Sequence, residues 1–142
     1  LGRLFIVIAG ITQAGVIDAI SHLFVDIAGG GIGKMYVLLI LISVFLSAFV
    51  DNIPYVATML PVVQKIAAQM GVAPYLFYFG LLIGATLGGN LTPVGASANI
   101  AGIGILTKEG YTVKARDFLR IGIPFTFLAV FAASTVIWLL YA

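Results

Sequence analysis

The sequence predicts an all-α integral membrane protein in which two interrupted segments form a re-entrant helical hairpin and a discontinuous transmembrane helix. Three observations predict it. Of its 142 residues, 62% are hydrophobic and 8% are charged, whereas soluble domains are about half apolar and about a quarter charged. A chain of this length holds about four to six membrane segments of roughly 20 residues each. Two apolar runs carry polar breaks, Asp51-Asn52-Ile53-Pro54 and Gly88-Gly89-Asn90-Leu91-Thr92-Pro93-Val94-Gly95-Ala96-Ser97-Ala98-Asn99. In hydrocarbon each unpaired peptide group costs several kcal/mol, so irregular backbone survives only where it lines a polar cavity. Broken helices of this kind mark transporter binding sites. The two breaks are expected to meet near the bilayer centre and form half of a solute or ion site.

The net charge of +2 is small and clustered, which argues for membrane orientation and against nucleic-acid binding. The absence of cysteine removes disulfides, thiolate metal sites and cysteine nucleophiles together. No small-residue cleavage site follows the first apolar run, so residues 1–20 are read as mature protein and not as a signal peptide. Four to six segments are few for a whole carrier, and the chain opens at Leu1 inside an apolar stretch. The expectation is the C-terminal half of a protein about twice as long or more, with the N-terminal half missing.

Residues 4–20 read as a helix interrupted after two or three turns, and residues 1–28 as that helix plus an amphipathic segment. Gln13 packs against a neighbouring helix or caps a kink. Asp18, His22 and Asp26 share one helix face at i, i+4 and i+8. The spacing could hold a metal, but a polar stripe on an interfacial helix is the commoner outcome. Ala28-Gly29-Gly30-Gly31-Ile32-Gly33-Lys34 fails the phosphate-loop frame, since Ala28 replaces the first glycine and Met35 follows the lysine. It is read as a turn.

Residues 35–50 form an apolar limb of about 24 Å if helical, and 55–63 one of about 14 Å. Neither matches a hydrocarbon core of roughly 30 Å. Pro54 interrupts the helical hydrogen bonding between them, and Asp51 and Asn52 suit the cap of the second limb. A re-entrant hairpin over 35–69, tip at 51–54, satisfies these constraints. The alternative is one kinked span over 35–63. Residues 75–106 read as a single broken crossing: a first half with Gly80, Gly84 and Gly88 on one face for close packing, then a second half from Ala96 whose N-terminus faces the cavity. Residues 107–117 form a polar linker, and 118–142 carry the last span. Lys108, Lys114, Arg116 and Arg120 put 107–120 on the cytoplasmic side of a multi-pass cell-membrane protein.

Asp51 is the one acid inside an apolar run, and a carboxylate there must be neutral, paired or hydrated in a cavity. Cation or proton handling follows. Asn52, Asn90, Thr92, Ser97 and Asn99 supply neutral oxygens, Ser47 and Thr58 flank the tip with hydroxyls, and opened backbone at Val50, Gly89 and Val94 supplies carbonyls. Hard cations such as Na+ take oxygen ligands of this sort, and Val50, Asn52, Gly89, Asn90 and Thr92 are the candidates. Donors at half-helix N-termini equally suit an anion. No cofactor is expected beyond Na+ or H+ as coupling ion.

The stretch Ser47-Ala48-Phe49-Val50-Asp51-Asn52-Ile53-Pro54-Tyr55-Val56-Ala57-Thr58-Met59-Leu60-Pro61, followed by the glycine-rich break, resembles the C-terminal half of the ion transporter superfamily. That group holds arsenite/antimonite exporters, NhaD-type sodium/proton antiporters, the pigmentation P protein, and citrate and dicarboxylate carriers. The resemblance implies one of two inverted repeats, an elevator-like movement and a homodimer. The hairpin-tip motif Ser-Asn-Thr of the dicarboxylate carriers falls on Asp51, Asn52 and Ile53, where only Asn52 matches. The resemblance gives Asn52 a site role, and the Asp-Asn-Ile-Pro form is closer to the antiporter-like branch. Gly89, Asn90, Thr92 and Gly95 match the broken-helix loop and would complete a second cation site.

The expected function is secondary active transport of an ion or small anion, a carboxylate or oxyanion, coupled to Na+ or H+. Arsenite/antimonite-type efflux is the alternative within the class. From other classes, an intramembrane serine hydrolase would need Ser97 with His22 as base, and a non-transporting scaffold would leave both breaks without a purpose. Neither an enzyme nor a nucleic-acid partner is expected.

Overall fold

The computed structural model describes residues 2–142. Among them the chain forms seven helices and no strand: α1 (Gly2–Gln13), α2 (Val16–Ala28), α3 (Ile32–Ser47), α4 (Asn52–Met70), α5 (Tyr75–Gly88), α6 (Ser97–Lys108) and α7 (Ala115–Tyr141). One of them, α7, is long and apolar enough by itself to cross a membrane, and α1 with α2 passes the same test only as a pair bent by 69°. The bend sits at Gly15, whose φ of 77° places it in the left-handed region that glycine adopts without steric cost.

The core lies between α2, α3, α4 and α5, where Ile17, Met35, Leu39, Val62, Ile66, Phe77 and Leu81 are fully buried. Its closest seam is α3 on α5. Built onto Gly80, a Cβ would lie 3.0 Å from the Tyr36 ring; on Gly84, 2.8 Å from the Ile40 carbonyl oxygen; on Gly88, 2.7 Å from that of Val44. Advancing residue numbers on one helix meet advancing numbers on the other, so the two run parallel in near backbone contact, as small residues at this spacing permit.

Parallel α3 and α5 require α4 to run back between them. The return is at 48–51, and Ser43 Oγ meets Tyr55 Oη across it at 2.9 Å. A continuous span over 35–63 would set residues 43 and 55 about 18 Å apart along the axis, so the kinked-span alternative is not the fold of this chain. Pro54 is tolerated because it lies in the first turn of α4, where backbone N–H groups have no helical partner anyway. The limbs meet near the tip but do not pack along their lengths, since α5 lines α3 while α2 and α5 cover α4. The second limb also runs on to Met70. Its polar residues are used there: Lys65 pairs with Asp18, and Gln69 Nε2 reaches Ser21 Oγ at 3.5 Å. Asp18 therefore spends its charge on a lysine.

The 75–106 segment is broken as the sequence predicts, with 89–96 irregular between α5 and α6. Helix α6 buries no residue and packs against no other helix among the described residues. Helix α7 returns antiparallel to α3 and α5. Trp138 stacks near Tyr36 with ring centroids 5.6 Å apart, and the Tyr36 hydroxyl donates to the Ser134 carbonyl at 2.8 Å. At the other end Gly122 lies under the break, where a Cβ would come 2.6 Å from the Asn90 carbonyl oxygen. Gly122 is about 10 Å along a helix about 40 Å long. Measured on α7, the break thus lies beside the first third of that helix.

Candidate functional site

Four helix ends meet at one place: the C-termini of α3 and α5 and the N-termini of α4 and α6. Helix C-termini expose unpaired carbonyls and attract cations, while N-termini expose unpaired N–H groups and attract anions. The tip and the break, 37 residues apart from Asn52 to Gly89 in sequence, are joined by direct contact.

The joint starts at Ser47, which is fully buried. Its hydroxyl lies 2.7 Å from Asn52 Oδ1 and also reaches the Ala85 carbonyl, so one hydrogen is shared between the tip and the last turn of α5. Asn52 in turn lies over Gly89, where a Cβ would come 2.8 Å from Asn52 Oδ1. Asp51 caps α4: its carboxylate accepts from the Asn52 N–H at 2.8 Å, and it is half-buried. Thr92 is buried in the break and donates to the Ala48 carbonyl, a second bond between tip and break.

Gly95 closes the pocket. The position its Cβ would take lies 2.6 Å from the Gly89 carbonyl oxygen, 2.9 Å from that of Ala48 and 3.0 Å from that of Ser47. Three carbonyls from two separate segments thus crowd around Gly95. The Ala48 oxygen accepts from Thr92 and the Gly89 oxygen from Asn99. Among the described residues no donor reaches that of Ser47. Asn99 Nδ2 donates to the Gly89 carbonyl at 2.8 Å and to the Thr92 carbonyl at 3.0 Å.

The structure therefore brings together Ser47, Asp51, Asn52, Gly89, Thr92, Gly95 and Asn99. Asn90 is beside them and turns its carbonyl toward α7. Four expected members are elsewhere. The Thr58 hydroxyl donates to the Pro54 carbonyl at 2.8 Å, inside its own helix. Ser97 is exposed at the start of α6. Val50 and Val94 are exposed, and the converging carbonyls are those of Ser47 and Ala48 instead. The cause is that α3 stops at Ser47, about two turns before the proline, which frees the carbonyls of its last turn. The readable signal was Ala48, a small residue between a serine and a phenylalanine. His22 lies exposed on α2, which makes no contact with α6, so nothing aligns it with Ser97.

With this geometry in place, the comparisons with known proteins are informative. The sequence model of the CitMHS family, described as citrate transporter, matches residues 1–142. An uncharacterized transporter of Mycobacterium tuberculosis is 36% identical over 140 residues, which is 97% of this chain and 33% of that protein. The 46 kDa membrane protein of Mycobacterium leprae is 34% identical over 140 residues, with the same coverage. The human P protein is 43% identical over 91 residues, covering 62% of this chain and 11% of the P protein. No solved structure matches. The chain spans about a third of the length of the first curated relatives it matches, 33% in each. Carrying paired breaks joined at one polar pocket and matched by a family model from end to end, this chain belongs to the CitMHS citrate transporter family of membrane proteins, within the ion transporter superfamily.

Proposed function

We propose that the chain is the C-terminal part of a secondary active carrier that moves a small carboxylate or oxyanion coupled to Na+ or H+. The observation that carries the reading is the convergence of the Ser47, Ala48 and Gly89 carbonyl oxygens beside Gly95. Neutral oxygens gathered without an acid between them suit a hard monovalent cation, and Asn52 adds a side-chain oxygen at the same place. The N-termini of α4 and α6 supply the complementary donors for an anion. The family description favours citrate or a related polycarboxylate as the solute. In this reading 35–69 re-enters the membrane from one side, 107–120 is cytoplasmic, and the carrier works as a homodimer by an elevator-like movement of inverted repeats.

Asp51 is the coupling residue of this reading, being the single carboxylate at the tip. In vesicles bearing the complete carrier, Asp51→Asn is expected to abolish or uncouple cation-driven uptake of labelled citrate. Uptake that keeps its wild-type rate, Na+ dependence and pH dependence would remove Asp51 from the mechanism. Uptake of arsenite in place of citrate would select the oxyanion branch.

A further inference from the structure

Helix α6 is attached in an unusual way. Its twelve residues include none that is buried, and no other helix packs against it among the described residues. Among the described residues, the side-chain hydrogen bonds that join it to the break come from one residue. Asn99, in its first turn, places Nδ2 at 2.8 Å from the Gly89 carbonyl oxygen and 3.0 Å from that of Thr92. The orientation of the carboxamide follows from its partners, because two carbonyls can only accept and the NH₂ end must therefore face them.

An NH₂ group set between two carbonyl oxygens brings partial positive charge to the place where a small metal ion would find the same two ligands. We propose that Asn99 holds this place in the ion-free carrier, and that a hard monovalent metal ion competes with its amide for the Gly89 and Thr92 carbonyls. The inference rests on the ion-site reading above and deepens it. Backbone carbonyls bind metal ions and do not take up protons in the pH range of proteins, so the ion displacing Asn99 is a metal cation. Displacement removes the tie of α6 to the break. Ion occupancy and release of α6 are then one equilibrium, and any contact that presses α6 onto the break expels the ion by the reciprocal coupling.

The test uses the complete carrier in detergent, with melting followed across concentrations of Na+, Li+ and K+ against choline. In Asn99→Ala the competitor is gone, and the Na+ concentration giving half-maximal stabilisation is expected to fall about tenfold, the equivalent of two net hydrogen bonds partly recovered. Asn99→Ser, with a single hydroxyl hydrogen for two carbonyls, is expected to fall between alanine and wild type. A lower melting temperature with unchanged half-saturation makes Asn99 a structural brace and overturns the proposal. A higher half-saturation makes it a ligand and does the same. Should the alanine variant fail to fold, the serine variant carries the comparison, together with hydrogen exchange of residues 97–108 in the wild type: faster exchange on adding Na+ is expected, and protection overturns the proposal. A wild type indifferent to every alkali cation removes the ion-site reading and this inference with it; a responsive wild type with unaltered variants removes this inference alone.

Discussion

Gly95 has less freedom than any other residue of the pocket. A methyl group there would meet three carbonyl oxygens at 2.6 to 3.0 Å, all belonging to backbone that cannot swing aside. Gly95→Ala is expected to destabilise by about 1 to 3 kcal/mol, the usual range for overpacking, and to abolish cation-dependent stabilisation. Gly102→Ala is the control, since nothing lies within 4 Å of its Cβ position and alanine favours the helix by up to about 1 kcal/mol. Thermal melts of the two variants in the complete carrier check both signs at once; equal effects would mean that Gly95 is an ordinary loop glycine. The need for a glycine at 95 was visible in the sequence only as a glycine in a loop. What forbids a side chain there is the Ser47 and Ala48 carbonyls, contributed by a segment more than forty residues away, and no local pattern reveals such a neighbour. Asn52 and Thr92 were easier to identify, because an amide and a hydroxyl in an apolar run must find polar partners. Thr58 obeys the same rule more locally, its hydroxyl donating to the carbonyl one turn earlier.

At the scale of elements, the seam of α3 and α5 sets the pocket's shape. Gly84 is the tightest point, with its missing side chain replaced by Ser43 and the Ile40 carbonyl. Gly84→Leu is expected to separate the helices and release the tip from the break. Loss of transport together with new protease cleavage near 48–51 would report it, and a variant with normal transport would show that the seam does not hold the site. The ladder of Gly80, Gly84 and Gly88 was legible as a close-packing face, but its partner was not, since spacing names no neighbour. The interruption between α3 and α4 was legible from Pro54 and its caps. That the two limbs lie apart was not, because it depends on α5 and α2 competing for the same apolar faces. Lys65 and Gln69, polar residues late in α4, find their partners on α2, where Asp18 and Ser21 lie.

For the whole molecule, the antiparallel return of α7 puts two loops at opposite ends. The 107–117 linker lies beyond the break, and the glycine turn at 29–31 leads into Gly33, which lies against Trp138 at the far end. In a cysteine-free version of the carrier, a cysteine replacing Thr112 is expected to react with an impermeant maleimide from the cytoplasmic side alone, and one replacing Gly30 from the other side alone. Labelling of both from one side would overturn the orientation given by Lys108, Lys114, Arg116 and Arg120. Membrane residence and carrier class were legible from composition and from the two breaks together. The packing of Gly122 beneath Asn90 was not, because it depends on where α7 begins relative to α5.

The parallel pair of α3 and α5 has a consequence for traffic through the pocket. With their backbones already touching at Gly84 and Gly88, the two helices form a welded slab, and the gap they border cannot widen by sliding or splaying without tearing the seam. Among the described residues, α6 is the surrounding wall against which no other helix packs. In the carrier proposed above, solute exit is expected on that side, and a bulky label on the outer face of α6 that leaves uptake unchanged would rule it out.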